Sequence, residues 1–108
     1  MKMPYAKGFK IDRKKIAETF NLADRNDPQV EVYFSAIVEN LNRAAYKCVT
    51  TAYDHEALPG ETPICNVVAF ETGTNKEALE KLDLGPFDES IEMARSYVLV
   101  GPQVWELW

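Results

Sequence analysis

The chain has 108 residues, of which 46% are hydrophobic, and its formal net charge is −5. This length suits a single domain over residues 1–108, because a chain of this size can remove roughly 65% of its unfolded surface from water. The apolar runs are far shorter than the roughly 20 residues that span a bilayer, and the N-terminus lacks an apolar signal core, so we expect a soluble, cytoplasmic protein without a membrane partner.

The charge is divided unevenly along the chain. Residues 1–15 hold six basic side chains and one acidic side chain, whereas the other residues hold six basic and sixteen acidic ones. We therefore predict a basic N-terminal arm, residues 1–11, on an acidic body. The acidic body is not expected to bind nucleic acid directly, because it would repel phosphate. The arm is either solvated or paired with acidic surface of its own or a neighbouring subunit.

The two cysteines, Cys48 and Cys65, are 17 positions apart and form no C-x-x-C pair. This spacing indicates neither a disulfide framework nor a zinc ribbon. Buried free thiols are the simplest interpretation, and they agree with a reducing cytoplasm.

The first predicted helix covers about residues 13–24. Asp12 can cap this helix, and Ile11 and Ile16 have the spacing of a hydrophobic staple across its first turn. Asn26, Asp27 and Pro28 then end the helix or start the next element.

Residues 28–54 fit two different structures. At a period of two, residues 30–38 and 44–53 form the two strands of a hairpin. At a period of 3.6, apolar side chains share one face of a helix that Asp27 and Pro28 would start: Val30, Phe34, Ile37, Leu41, Ala45, Cys48 and Ala52. The many β-branched and aromatic residues favour the hairpin. The alternative is an all-α fold with one long helix over residues 28–54.

The remaining elements complete an α+β domain. Residues 64–72 predict a buried strand. Thr74 and Glu77 predict a capping box for a helix that ends before Gly85. A helix over residues 88–96 and a short strand over 96–100 follow, and Gly101-Pro102 releases an aromatic C-terminal tail, residues 101–108. The approximate order α-β-β-β-α-α-β predicts an antiparallel or mixed sheet, with helices covering one face and the other face open.

One short stretch, "YDHE", is a candidate for chemistry because it contains the only histidine. In a strand, Asp54 and Glu56 point to one side and His55 to the other, so Tyr53, Asp54, His55 and Glu56 cannot all converge on one ion. A polar strand end is the simpler interpretation, and a metal or acid–base role is the alternative. The sequence holds no phosphate-loop, dinucleotide-binding or nucleophile motif. We therefore predict no catalytic residue, metal or cofactor, and the protein is more readily explained as a non-enzyme.

Two features predict an interaction surface. The first is a concentration of acidic residues in the two late helices: Glu77, Glu80, Asp83, Asp88, Glu89 and Glu92. The second is the tail, with Trp105, Leu107 and Trp108. Burial of each tryptophan is worth about 4 to 6 kcal/mol, so burial of both nearly offsets the cost of ordering the tail, which is on the order of 7 to 14 kcal/mol. The tail should therefore pair with its own sheet or with a partner.

Three functions agree with this pattern. The leading hypothesis is a small acidic cytoplasmic binding protein, a homodimer or a subunit, that acts through an aromatic and acidic surface. The second is an inhibitor whose carboxylates imitate nucleic acid. The third is a small-molecule-binding domain or enzyme with a pocket lined by Tyr33, Tyr46, Tyr53 and Trp105. The sequence does not identify the partner, the ligand or a reaction.

Overall fold

The computed structural model describes residues 4–41 and 46–108. In order along the chain, the elements are β1 (Tyr5–Ile11), α1 (Arg13–Thr19), α2 (Pro28–Leu41), β2 (Cys48–Tyr53), β3 (Ile64–Gly73), α3 (Lys76–Lys81), α4 (Glu89–Tyr97) and β4 (Leu99–Glu106). The predicted α+β class is confirmed, and the all-α alternative is wrong. None of the helices in the described residues has the length and apolar character needed to cross a membrane.

The strands form one antiparallel sheet in the order β2-β3-β1-β4. This sheet curls, because Leu107 forms a bridge to Ala52 on the strand at the opposite edge. The Trp108 N–H also donates a hydrogen bond of 3.2 Å to the Thr51 carbonyl. The C-terminal residues therefore join the two sheet edges at one end.

The sheet has two buried faces. On the first face, Phe9, Ile11 and Val68 pack against a set of helix side chains that includes Ile16, Val30, Leu41 and Ile91. On the second face, Trp105 packs against Ala52, Cys65 and Val67. Adjacent residues such as Val67 and Val68 are both buried because strand side chains alternate between the two faces. The expectation of an open second face is wrong. The sheet curls, and the Trp105 side chain fills the space on this face.

The predicted basic arm contains β1, a central strand of the sheet. The Lys7 ammonium donates to the carbonyls of Glu80 and Leu82, and the Lys10 ammonium lies 3.3 Å from the Asp54 carboxylate. Both ammonium groups of this strand therefore donate to oxygen atoms of their own chain. The element order is β-α-α-β-β-α-α-β, not the predicted α-β-β-β-α-α-β.

Segment 28–54 is neither a hairpin nor one long helix. It contains α2 and then β2, and residues 42–45 between them lie outside the described part of the chain. The helix starts because the Asp27 carboxylate accepts the Gln29 N–H at 2.9 Å, and a proline at position 28 suits a first turn. Pairing of β2 with β3 gives residues 48–53 their extended conformation.

The helix starts differ in detail from the prediction. Asp12 caps α1 as expected, through the Lys14 N–H at 2.9 Å, but that helix ends at Thr19. Asn75 rather than Thr74 caps α3, because its side-chain oxygen accepts the Ala78 N–H.

Gly101-Pro102 lies inside β4 and does not release a free tail. The pairing of β1 with β4 shifts register between Gly8 and Lys10, which leaves a bulge opposite them. An edge strand with a bulge is where a sheet tolerates proline. The predicted tail is therefore mostly sheet within its own subunit.

Candidate functional site

Helix α4 presents two apolar stripes, although a helix on a domain surface ordinarily needs only one. The buried stripe includes Ile91 and continues to Val98, just beyond the helix, and it packs on the helix-covered face of the sheet. The second stripe consists of Met93 and Tyr97, whose side chains are 61% and 58% exposed. Burial in this fold does not account for the second stripe.

The exposed stripe forms one wall of an open groove between α2 and α4, which we name the α2/α4 groove. Ile37 and Leu41 belong to the opposite wall, and Phe20 lies at the end of α1. The groove has a volume of about 630 Å³, within the range of about 300 to 1,000 Å³ for ligand sites. Its lining is Phe20, Ile37, Asn40, Leu41, Asp88, Glu89, Ser90, Met93, Ala94, Tyr97 and Val98.

The two ends of the α2/α4 groove differ in chemistry. Asp88 and Glu89 lie at the N-terminal end of α4, and within the described part of the chain they are the only charged residues in the lining. At the other end, the Thr19 hydroxyl donates to the Tyr97 carbonyl at 3.1 Å, which brings the end of α1 beside the end of α4. The Phe20 ring stacks there on Tyr33 with centroids 3.9 Å apart. The groove therefore has an acidic end and an aromatic end.

The negative charge at the acidic end is held by hydrogen bonds. The Asp88 carboxylate accepts the Ser90 N–H at 2.9 Å and the Ser90 hydroxyl at 2.7 Å. These hydrogen bonds lower the pKa of Asp88, since they favour the ionised form. The carboxylate caps α4 and remains charged at neutral pH.

A second group of polar residues surrounds the loop that follows β2. The Glu61 carboxylate forms ion pairs with the Lys14 ammonium at 2.8 Å and the Arg25 guanidinium at 3.1 Å. The Arg13 guanidinium donates to Glu31 and Asn66 and lies 4.3 Å from the Phe34 ring centroid. We call this set, with Lys10 and Asp54, the ion-pair cluster.

The ion-pair cluster borders an open cavity of about 470 Å³. All three nitrogens of the Arg13 guanidinium group already donate to protein oxygens, and Glu61 accepts from two cations and the Leu58 N–H. These contacts attach the loops around residues 25 and 61 to each other and to α1, and they attach α1 to β3. The cluster is therefore explained by its role in holding the loops.

The Glu61 contacts predict a pH-dependent stability. Hydrogen bonds from Lys14 and Leu58 lower the pKa of Glu61 from 4.5 to about 2. A carboxylate with a lowered folded-state pKa stabilises the fold above its unfolded pKa and loses that effect as the pH falls toward the folded value. Glu61→Gln should melt below the wild type at pH 7, and the difference should shrink between about pH 4.5 and 2.

Thermal melts of the two proteins across this pH range test the expectation. Glu18→Gln is the control, because Glu18 is exposed on α1 and forms no ion pair with another described residue. A Glu61→Gln difference that stays constant with pH would show that the carboxylate charge does not hold the loop.

The chain was compared with known families, curated proteins and solved structures. None of them matches. The assignment of a function therefore rests on the α2/α4 groove itself.

The three tail residues of the predicted interaction surface differ in how deeply they are buried. Trp105 is 6% exposed, and its indole N–H donates to the Gly8 carbonyl at 3.0 Å. Leu107 is half-buried beside the cluster around Trp105. Trp108 is 58% exposed. Trp105 is therefore a core residue, and Trp108 alone keeps a largely free surface.

The predicted acidic residues divide between two places. Asp88 and Glu89 line the α2/α4 groove, and Glu92 follows on α4, where its carboxylate lies 3.7 Å from Arg95. Glu77 and Glu80 are exposed on α3, and Asp83 follows that helix and accepts the Gly85 N–H at 2.7 Å.

The residues of "YDHE" do not converge. Asp54 turns toward Lys10, whereas the Tyr53 ring packs near His55 with centroids 6.3 Å apart. Glu56 is exposed, and its N–H donates to the Asp54 carboxylate. Among residues 4–41 and 46–108, no three His, Cys, Asp or Glu side chains are placed to hold a metal ion.

The proposed aromatic pocket is not formed by its four predicted residues. Tyr33 and Tyr46 pack on the helix side of the sheet, whereas Trp105 lies on the opposite face. Tyr53 is exposed beside His55.

The two cysteines are free thiols in different surroundings. Cys65 is buried, and burial together with the Asp54 charge raises the pKa of its thiol to about 11. Cys48 is exposed at the start of β2, so the prediction that both thiols are buried is wrong for it.

The apolar groove residues were not predicted from the sequence. Met93 and Tyr97 are four positions apart in a helix whose inward face is already occupied by Ile91 and Ala94. That surplus of apolar residues was the available signal. The opposite wall is not evident from the sequence, because the β-branched and aromatic residues of α2 favour a hairpin.

Proposed function

We propose that this protein is a protein-binding domain whose α2/α4 groove holds an amphipathic helix from a partner protein. The observation that carries the proposal is the exposed stripe of Met93 and Tyr97, which faces Ile37 and Leu41 across an open space of about 630 Å³. Exposed apolar patches rimmed by polar groups mark interaction sites. Here Asp88, Glu89 and Asn40 provide the polar rim.

The shape of the groove supports a helix as its occupant. The α4 residues in the lining are at positions 89, 90, 93, 94 and 97, so they follow the i, i+3, i+4, i+7 pattern from residue 90 that a helix presents to a packed neighbour. A third helix can pack its own apolar stripe into the groove between two neighbouring helices. Helix α4 has nine residues, which is a length of about 13 Å, so the groove suits about two to three helical turns.

This proposal keeps the binding function expected from the sequence and places it on different residues. The surface is still aromatic and acidic, but Tyr97, Met93 and Phe20 replace the tryptophans as its apolar part. Asp88 and Glu89 belong both to the surface predicted from the sequence and to the α2/α4 groove. The cytoplasmic location and a homodimeric state stay predictions.

A binding titration tests the groove. The probe is a fluorescent 15-residue helical peptide with leucine at i, i+3, i+4 and i+7 and glutamine at its polar positions. We expect saturable binding to the full-length chain. Met93→Lys should weaken it at least about tenfold, because a charged side chain in the centre of an apolar contact is costly and central residues dominate binding energy.

Val32→Lys is the matched control, because Val32 is 60% exposed on α2 but does not line the groove. It should change the affinity less than about twofold. Absence of saturable binding, or equal losses in both variants, would contradict the proposal. A wild-type dimer in sedimentation that Met93→Lys dissociates would also contradict it, because the occupant would then be a second copy of this chain.

A further inference from the structure

The difference between the two ends of the α2/α4 groove carries a further inference, which rests on the proposed function. We infer that the partner helix is basic at its C-terminal end and binds antiparallel to α4, with its lysines or arginines beside Asp88 and Glu89 and its apolar part beside Tyr97 and Phe20.

Charge supports a basic partner. Among the described residues 4–41 and 46–108, the groove lining contains two carboxylates and no lysine or arginine. Arg95, the basic residue of α4, lies 3.7 Å from Glu92, and its guanidinium is 5.9 Å from the Phe9 ring centroid. Arg95 is not among the residues that line the groove. A partner that brings positive charge to this end gains attraction, whereas an acidic partner is repelled.

Helix polarity gives the direction. Lysines and arginines are most favourable in the last turn of a helix, where they offset the negative end of the helix dipole. The acidic end of the groove is the N-terminal end of α4, with Asp88 as its cap. A partner whose basic last turn lies there runs opposite to α4. Its earlier turns then reach Tyr97 and Phe20.

Three peptides with the same leucine stripe test the inference in direct binding titrations. One has lysines in its last turn, the second has them in its first turn, and the third has glutamine at those positions. At low salt, the wild-type chain should bind the first peptide about fivefold more tightly than the second, as expected for two exposed charge pairs. Added salt at about 0.5 M should remove most of this preference.

Lysine position also changes the helicity of a free peptide, so the decisive comparison is between protein variants. Asp88→Asn with Glu89→Gln removes both groove charges and retains an N-cap side chain. The matched control, Glu77→Gln with Glu80→Gln, removes two charges from the exposed surface of α3. We expect the fivefold preference to fall below about twofold in the first variant and to persist in the control.

The outcomes separate the two proposals. If all three peptides bind the wild type equally, or if the groove variant keeps the full preference, the inferred direction is wrong and the protein-binding function stands. If no peptide binds saturably, including the glutamine peptide, the proposed function is wrong and the inference is overturned with it.

Discussion

Replacing Trp105 with alanine should lower the free energy of unfolding by about 3 to 5 kcal/mol, the usual cost of removing a large buried side chain. Trp105 is 6% exposed and packs on Ala52, Cys65 and Val67, on the sheet face that the helices do not cover. Its indole N–H also donates to the Gly8 carbonyl at 3.0 Å. The alanine variant leaves both a cavity and a buried carbonyl without this donor.

Urea denaturation of three variants tests this expectation. Trp108→Ala is the matched control, because Trp108 is 58% exposed and only three positions away; its loss should cost about 1 kcal/mol or less. Trp105→Phe should lie between the two, since it retains most of the packing and loses a hydrogen bond worth about 1 kcal/mol. Equal losses for the Trp105→Ala and Trp108→Ala proteins would show that the second face of the sheet is not a core.

The contrast between these two tryptophans shows what the sequence could predict. An ordering cost similar to the burial gain indicated that the tail pairs with a sheet, and β4 does pair with β1. The sequence did not indicate that the tail pairs with its own subunit, because partner choice depends on which edge is free in three dimensions. The curl that brings Leu107 to Ala52 has no local signature.

Local signals explain which elements were predicted. Asp12 and the buried pair Ile11 and Ile16 correctly indicated the start of α1, and the apolar run of β3 was equally clear. Strand β1 was hidden by its lysines, because Lys7 and Lys10 made residues 1–11 resemble a solvated arm. Their long side chains reach oxygens on α3 and at Asp54, so the charge is compatible with a central strand.

The candidate site was harder to predict because it depends on two elements at once. Asp88 and Glu89 were identified as interaction residues from charge alone, and both line the α2/α4 groove. Met93 and Tyr97 form part of a groove only because α2 lies opposite them. The pattern of Val30, Phe34, Ile37 and Leu41 indicated that helix, but the β-branched residues around it favoured strands, and tertiary packing decided the outcome.

Gly8→Ala should be the most destabilising single change in this set, with a loss of about 4 kcal/mol or more. Gly8 lies where β1 shifts register against both β3 and β4. A β-carbon at this position would overlap the Val68 carbonyl oxygen and lie 3.1 Å from the Ala69 Cα. Both atoms belong to the backbone of β3, so a change of side-chain rotamer cannot relieve the overlap.

The matched control for this prediction is Gly73→Ala, at one end of the same strand pair, whereas Gly8 lies in the middle of it. A β-carbon there would meet nothing closer than the Leu79 side chain at 3.7 Å, so we expect a change within about 1 kcal/mol. Chemical denaturation and amide exchange across β1 and β3 distinguish the two variants. If Gly8→Ala is no more harmful than Gly73→Ala, β1 and β3 are not as close as the structure places them. The Gly8 carbonyl also accepts the hydrogen bond from the Trp105 indole. Displacement of β1 should therefore weaken the packing on both faces of the sheet, and the rate of exchange of the β4 amides should rise in the same variant.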